Sequence, residues 1–153
     1  LELDAIIFSG GNTLSSVESR AVDASVRRDR FETEILELCF ERSIPVLGVC
    51  RGMQFFNIAL GGSVRKIEGH VDTRHSIFQA PDQNFLSEVN SYHSWCVPAE
   101  LLAPELSPLA FDPVGNVEAY EHKALKLRGM MWHPEREIEL RDADLEFIKA
   151  LLK

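Results

Sequence analysis

The chain has 153 residues, of which 45% are hydrophobic, so it can bury one hydrophobic core. Two domains would each be small, and a single domain is therefore predicted. Its 16 Lys and Arg against 24 Asp and Glu give a formal net charge of −8, which argues against a nucleic-acid partner because phosphate recognition needs clustered basic side chains. No apolar stretch is long enough to cross a bilayer and no signal peptide opens the sequence, so no membrane partner is expected.

The cysteines favour a reducing compartment. They are odd in number, widely spaced and without a CxxC pair, at Cys39, Cys50 and Cys96. This pattern is not that of a disulfide framework, so a cytoplasmic location is predicted. The one basic cluster, at residues 27–30, is interrupted by Asp29 and is interpreted as the solvated start of a helix.

The first half of the chain alternates strand and helix. A short buried strand is predicted at residues 4–8, followed by a turn at 9–12 and a surface loop at 13–28. A helix is predicted from Asp29, which can cap it, and a strand covered on both faces at 44–49. The apolar residues that share one face of this helix are Phe31, Ile35, Leu38 and Cys39.

A second helix is predicted at residues 51–60, ended by Gly61 and Gly62. In the strand predicted at 117–121, Glu118 alternates with apolar residues and is expected to face solvent. The other late elements are strands at 64–67, 93–97 and 128–132 and a helix at 142–152. Alternation in the first half predicts a parallel sheet with helices on its faces.

The most informative segment runs from an apolar strand straight into a helix, with Cys50 at the junction. Gly48 and Gly52 stand two residues to either side, where they remove Cβ atoms that would crowd so sharp a turn. The helix N-terminus is expected to lower the pKa of the thiol, and the backbone N–H of Arg51 is placed to stabilise an oxyanion. A buried structural cysteine is the alternative, but the flanking glycines favour a nucleophile.

A base for this thiol is predicted at His133, which follows an apolar run and precedes Pro134 and Glu135. A strand that ends here brings the imidazole to the carboxyl edge of the sheet, where open α/β sheets keep their sites. Glu135 can reach the other ring nitrogen, which would select the tautomer and stabilise the imidazolium. The alternative is a structural histidine beside a surface glutamate, but Cys50 supplies the other half of one mechanism.

The two motifs together resemble the class I glutamine amidotransferase superfamily, and within it the γ-glutamyl hydrolase branch, especially the peptidase C26-like γ-glutamyl-γ-aminobutyrate hydrolases of bacteria. They are GVCRGMQ at residues 48–54 and WHPE at 132–135. Three further segments support the resemblance in the family's order: FSGG at 8–11, VNSYH at 89–93 and GNVEA at 115–119. The similarity therefore spans essentially the whole chain.

The resemblance implies a flavodoxin-like three-layer α/β/α sandwich with a mostly parallel central sheet. Residues 1–153 are expected to form a single class I glutamine amidotransferase-like domain that lacks the family's N-terminal strand and helix. By position in the motifs, Cys50 is the implied nucleophile, His133 the general base and then acid, and Glu135 the orienting carboxylate.

The resemblance also implies a binding site around these residues. The oxyanion would be held by backbone N–H groups of Gly10 or Gly11 together with Arg51. Relatives place a glutamine two residues beyond the position of His93, where this chain has Trp95, so the specificity for the leaving group stays open. The residues expected to bind the glutamyl α-amino acid end are Gln54, Ser91, Tyr92 and His93.

The implied activity is hydrolysis of a γ-glutamyl amide through a γ-glutamyl thioester, without a metal or an organic cofactor. His70 and His75, with Asp72 between them, have a spacing that fits no strong ligand pattern and are interpreted as part of a polar loop. The substrate would be a small γ-glutamyl compound whose amine is polyamine-derived, an amino acid, or part of a nucleotide-linked intermediate of surface-sugar assembly.

Two other functions fit the same motifs. One is a glutaminase subunit that delivers ammonia to a separate synthetase, and the other is an inactive scaffold or sensor of the same fold. A homodimer and a synthetase partner are both left open by the sequence.

Overall fold

The structure is a computed structural model that describes residues 3–153. The helices are α1 (Val26–Glu41), α2 (Arg51–Ala59) and α3 (Asp142–Leu151). The strands are β1 (Ile6–Phe8), β2 (Val46–Val49), β3 (Arg65–Lys66), β4 (Val71–Gln79), β5 (Phe85–Tyr92), β6 (Trp95–Cys96), β7 (Leu106–Phe111), β8 (Val117–His122) and β9 (Leu127–Met130). No helix within residues 3–153 has both the length and the hydropathy that a membrane span requires.

The central sheet has the strand order β1-β2-β9-β8-β7-β4-β5. The first three strands pair in parallel, and each later neighbour pairs antiparallel. Consequently β1, β2, β5, β7 and β9 point one way, and only β4 and β8 run against them. The short turns between β4 and β5, β7 and β8, and β8 and β9 reverse the chain and cause the antiparallel pairs.

Helices cover both faces of this sheet. On one face, Leu36 of α1 and Phe56 of α2 pack in a core that includes Val46. On the other face, Leu151 of α3 packs in a second core with Leu47. Successive strand residues point to opposite faces, so these neighbours on β2 enter different cores and the molecule has three layers.

The start and orientation of α1 differ from the prediction. The helix begins at Val26, and the side chain of Ser25 caps it by accepting a hydrogen bond from the backbone N–H of Arg28 at 3.3 Å. Asp29, which was expected to be the cap, uses its carboxylate in contacts with more distant residues. Phe31 and Leu38 are exposed rather than inward, and the buried residues are Glu32, Leu36 and Cys39.

Three strands were missed in the sequence: β4, β5 and β7. The first half of β4 is polar and exposed, so it lacks the alternation that marks a half-buried strand. β4 and β5 pair with each other as one hairpin, and β7 pairs with β8 as another. The strands predicted at 64–67 and 93–97 contain β3 and β6, which pair with each other outside the central sheet.

We expect Gly52→Ala to lower the free energy of unfolding by more than about 3 kcal/mol, because its new Cβ would meet the backbone carbonyl oxygen of Phe8, which cannot move aside as a side chain could. Urea denaturation measures this change. The control is Gly61→Ala, whose Cβ would meet open space and whose φ of 90° alone sets a cost of about 1–2 kcal/mol. Equal losses in the two variants would contradict the close packing of α2 on β1.

Candidate active site

Cys50 lies where β2 passes directly into α2, with φ of 51° and ψ of −104°. Positive φ is uncommon for a residue with a side chain, so the surrounding contacts must hold this conformation. The backbone N–H of Cys50 donates to the carbonyl oxygen of Met130 at 2.8 Å, and its carbonyl oxygen accepts from the N–H of Gln54 at 3.0 Å. The predicted sharp turn from strand to helix is confirmed.

Two glycines leave room for this turn. A Cβ on Gly48 would lie 2.6 Å from the carbonyl carbon of Gly52 and 2.7 Å from the backbone nitrogen of Met53. A Cβ on Gly52 would in turn press on the carbonyl oxygen of Phe8 in β1. As predicted, these two positions have no room for a side chain. Their glycines therefore let α2 approach β1 and β2 closely.

His133 follows β9 and pairs with Glu135. Its Nδ1 lies 2.6 Å from Oε1 of Glu135, as expected from their spacing. An ionised carboxylate only accepts hydrogen bonds, so Nδ1 carries a proton and Nε2 of the neutral ring presents its lone pair. The ring is buried, whereas the side chain of Glu135 is 58% exposed, so solvent screens this ion pair.

The imidazole of His133 is enclosed by its neighbours. A Cβ on Gly10 would lie 2.6 Å from Cε1 of the ring, so the glycine backbone packs directly against it. Tyr92 meets the ring edge-on with centroids 5.8 Å apart, and the guanidinium of Arg136 lies 4.1 Å from the centroid of that tyrosine. These contacts fix the orientation of the imidazole.

The side chain of Asn90 makes hydrogen bonds to both the backbone N–H and the backbone carbonyl of His133. Its Nδ2 donates to the carbonyl oxygen of His133 and its Oδ1 accepts from the N–H, each at 2.8 Å. The same Nδ2 also donates to Oε1 of Glu137 at 2.9 Å. Asn90 was given no role from the sequence. The signal for one was that its side-chain amide, within the VNSYH segment, offers both a donor and an acceptor.

Parallel pairing brings these groups to one edge of the sheet. Phe8 of β1 lies opposite Gly48 of β2, and Val49 of β2 lies opposite Met130 of β9. The turn at residues 9–11, Cys50 and His133 therefore all follow the carboxyl ends of adjacent parallel strands. This edge is where ligands bind in open α/β sheets.

The turn after β1 offers free backbone donors. The N–H groups of Gly10 and Gly11 donate to no protein acceptor within the described chain, residues 3–153. The guanidinium of Arg28 holds the turn from outside by donating to the carbonyl oxygens of Ser9 at 3.0 Å and Gly10 at 3.3 Å, and to Oδ1 of Asn12 at 2.9 Å. The carbonyl groups of this turn are therefore engaged, whereas the N–H groups of Gly10 and Gly11 have no partner among the described residues.

An ionic network joins α1 to the first residue of α2. Glu32 of α1 pairs with Arg28, with Nε and Oε1 2.8 Å apart, and also with the buried guanidinium of Arg51, which pairs in addition with Asp29. The prediction of a solvated helix start is wrong for Arg28 and Asp29, because the buried charge of Arg51 requires Asp29 and Glu32 as acidic partners and Glu32 also pairs with Arg28. The only sign of this ionic network in the sequence was the spacing of four residues between Arg28 and Glu32, which suits an ion pair along a helix.

Three of the four predicted substrate-binding side chains make hydrogen bonds within the protein. Gln54 donates through Nε2 to the carbonyl oxygen of Trp95 at 3.0 Å, and Nδ1 of His93 lies 3.0 Å from the same oxygen. The hydroxyl of Ser91 donates to the carbonyl oxygen of His70 at 2.8 Å. The fourth, Tyr92, packs edge-on against the imidazole of His133. All four lie on elements that border the site.

The profile of the peptidase C26 family matches residues 1–135. The chain belongs to the peptidase C26 family.

Its relatives within and around this family are hydrolases and amidotransferases. It is 34% identical to the γ-glutamyl-CDP-amidate hydrolase of Campylobacter jejuni, over 94% of this chain and 68% of that protein. It is 28% identical to one of the subunits of the glutamine-hydrolysing GMP synthase of Methanococcus vannielii, over 88% of this chain and 65% of that protein. The chain thus spans about two thirds of the length of these relatives. The predicted resemblance to this superfamily and branch is confirmed.

A solved structure of a glutamine amidotransferase from Thermotoga maritima has a TM-score of 0.67 at 17% identity, and covers 95% of this chain and 63% of that one. The predicted flavodoxin-like fold class is therefore confirmed. Together the family and its relatives indicate an enzyme of the hydrolase or amidotransferase type.

One electrostatic prediction for this C26 family member is wrong. Burial raises the pKa of the Cys50 thiol to about 12. The backbone N–H of Arg51 acts in the opposite direction, as expected at a helix N-terminus, but burial outweighs it. The thiol is consequently protonated at neutral pH in the free chain, and it ionises only if a base accepts its proton.

Glu118 also differs from the prediction, because it is buried rather than solvent-facing. It lies on β8, a central strand whose first four residues are all buried between the helical layers, so alternation along it does not separate core from solvent. Burial raises the pKa of Glu118 well above its usual value and lowers the pKa of nearby His93 to about 3. Both side chains therefore favour their uncharged forms.

We expect alkylation of Cys50 by iodoacetamide in the free folded protein to be slow at neutral pH and to increase about tenfold with each pH unit up to pH 10, because only the thiolate reacts and the pKa is raised to about 12. Mass spectrometry of the labelled peptide measures the rate, and circular dichroism sets the pH range in which the fold persists. The urea-unfolded chain is the control, since its thiol has an ordinary pKa. A rate that levels off near pH 7 would contradict the raised pKa.

Proposed function

We propose that this chain hydrolyses a γ-glutamyl amide, with Cys50 as nucleophile, His133 as general base and acid, and Glu135 as the carboxylate that orients it. One observation carries the proposal: a strained cysteine at a strand–helix junction shares a sheet edge with a buried, carboxylate-paired imidazole. The similarity to a γ-glutamyl-CDP-amidate hydrolase supports the substrate class.

The first step forms a γ-glutamyl thioester. Nε2 of His133 accepts the thiol proton as the sulfur of Cys50 attacks the γ-carbonyl carbon, and the carbonyl oxygen becomes an oxyanion. Backbone N–H groups of Gly10, Gly11 and Arg51 would hold this charge. Because burial keeps the thiol protonated in the free chain, proton transfer accompanies attack on bound substrate rather than preceding it.

The later steps return the enzyme to its starting state. The imidazolium, stabilised by Glu135, gives its proton to the leaving nitrogen as the C–N bond breaks. His133 then takes a proton from water, whose oxygen attacks the thioester. The C–S bond breaks, the thiol of Cys50 regains its proton, and glutamate leaves.

The proposed pocket for the glutamyl α-amino acid end is formed by Gln54, Ser91, Tyr92 and His93. Tyr92 is the best placed of them, because it already contacts the imidazole and carries the guanidinium of Arg136 on its ring. An arginine at this position suits a carboxylate. For the leaving group, the name of the Campylobacter jejuni relative makes a CDP-linked amidate the first compound to test.

A second candidate function is a glutaminase subunit that passes ammonia to a separate synthetase. The similarity to a GMP synthase subunit favours it. The two functions differ in dependence on a partner, since a stand-alone hydrolase releases glutamate without one. High glutamine turnover found only with an added synthetase would favour the second function.

We expect the purified protein to release glutamate from at least one γ-glutamyl compound in a panel of CDP-amidate, amine and amino acid conjugates with glutamine included. Cys50→Ala should lower kcat by about 10⁴-fold or more, since no thioester can form. Glutamate release in a coupled assay measures both. Cys39→Ala, which alters a buried cysteine on α1, is the matched control and should keep turnover. Turnover retained in Cys50→Ala would overturn the proposal.

We expect His133→Ala to lower kcat by about 10³-fold or more and Glu135→Gln by only about tenfold, because the imidazole moves protons whereas the exposed carboxylate orients it through a solvent-screened contact. Steady-state kinetics with the best substrate of the panel measure both. Glu139→Gln, at an exposed position nearby, is the control for loss of surface charge. Equal losses for the two site variants would contradict this division of roles.

A further inference from the structure

A second group of chemically competent side chains lies beside the proposed active site. Each offers one ligand atom, and these atoms all lie within 4.8 Å of one another. The residues are His70, His75, His93 and Glu118. They come from the turn before β4, from β4, from the end of β5 and from β8, so their proximity was invisible in the spacing of the sequence.

Hydrogen bonds fix the tautomers of two of these histidines. Nδ1 of His93 lies 3.0 Å from the carbonyl oxygen of Trp95, and Nδ1 of His75 lies 3.2 Å from that of Ser76. A carbonyl only accepts, so each Nδ1 carries the hydrogen. In the neutral rings Nε2 then presents its lone pair, which is the arrangement that a metal-binding histidine uses.

Both Nε2 atoms lie near the carboxyl group of Glu118. Its Oε1 lies 3.8 Å from Nε2 of His93, and its Oε2 lies 3.7 Å from Nε2 of His75. These separations exceed hydrogen-bond length. All four atoms are buried and have no hydrogen-bond partner among residues 3–153. Two imidazole lone pairs and a carboxyl group that make no hydrogen bonds are costly in a protein interior, and a cation among them would remove this cost and keep the carboxyl ionised.

A metal ion fits this space better than a proton does. Two bonds of about 2.0–2.1 Å at a tetrahedral angle separate their ligand atoms by about 3.3–3.4 Å. The distances of 3.7 and 3.8 Å between Glu118 and its two histidines are slightly longer, so the side chains would close a little around a bound ion. Three imidazoles with one carboxylate suit a first-row transition ion, whereas Mg²⁺ and Ca²⁺ prefer oxygen ligands. We propose that His70, His75, His93 and Glu118 together bind one divalent transition-metal ion, with Zn²⁺ as the expected occupant.

The number of protein ligands indicates what the ion would do. Four side chains complete a tetrahedral shell and leave no open position for water, as in structural zinc sites. The ion would join the β4–β5 hairpin to β8 at three points of the chain. It would thereby hold the segment at residues 91–93, which borders the imidazole of His133. This role goes beyond the proposed hydrolysis and does not depend on it; a metal-bound His93 would leave Gln54, Ser91 and Tyr92 to hold the glutamyl end.

Metal binding by the intact chain tests the proposal. The protein is produced without a polyhistidine tag, stripped with chelator and titrated with Zn²⁺ against a chromophoric competitor. We expect about one ion per chain, and an affinity that falls at least about 100-fold in His75→Ala and in Glu118→Gln. Mg²⁺ should not compete. His122→Ala is the matched control, because its imidazole contacts Glu105 outside the cluster and its loss should leave binding unchanged.

Spectroscopy of the wild-type protein gives a second readout that does not depend on the folding of a variant. Co²⁺ in this site should give the visible bands of a tetrahedral nitrogen and oxygen shell, without the charge-transfer absorption of a thiolate ligand. Failure of the wild-type chain to bind Zn²⁺ would overturn the proposal, as would equal affinity in His75→Ala, Glu118→Gln and the wild type. A sulfur ligand in the Co²⁺ spectrum would overturn it too. Glutamate release is not used in either readout, so failure here leaves the proposed hydrolysis standing.

Discussion

The close approach of α2 to β1 and β2 is the constraint on which the site depends. Backbone meets backbone where Gly52 faces Phe8, and no side chain fits between them. This contact places the first turn of α2 at the ends of the parallel strands and holds Cys50 at a positive φ. If the helix stood further from the sheet, the sulfur would leave the edge to which β9 delivers His133.

Features encoded by neighbouring residues could be predicted from the sequence. The junction at Cys50 and its two glycines form one continuous motif, and the contact between His133 and Glu135 spans only two residues. Features set by distant contacts could not be predicted. The hydrogen bonds between Asn90 and the backbone of His133 join β5 to the chain after β9, and neither segment alone shows which backbone this amide contacts.

Burial explains the other differences from prediction. Alternation suggested an exposed Glu118, but a strand in the middle of a three-layer sandwich has two covered faces. Similarly, a helix N-terminus favours a thiolate at Cys50, yet the surrounding core raises the pKa of that thiol far more. Both errors arise because the depth of a residue depends on the strands and helices that pack over it, and these are distant in sequence.

The imidazole of His133 is held by a glycine backbone on one side, an aromatic edge on another and a carboxylate at Nδ1. A ring confined in this way has lost its rotational freedom during folding, so that entropy is not lost again when a ligand arrives. Successive proton transfers at Nε2 would then require no swing of the side chain between one acceptor and the next. The rigidity of this ring contrasts with the more open side of the site, where the guanidinium of Arg136 lies over the ring of Tyr92.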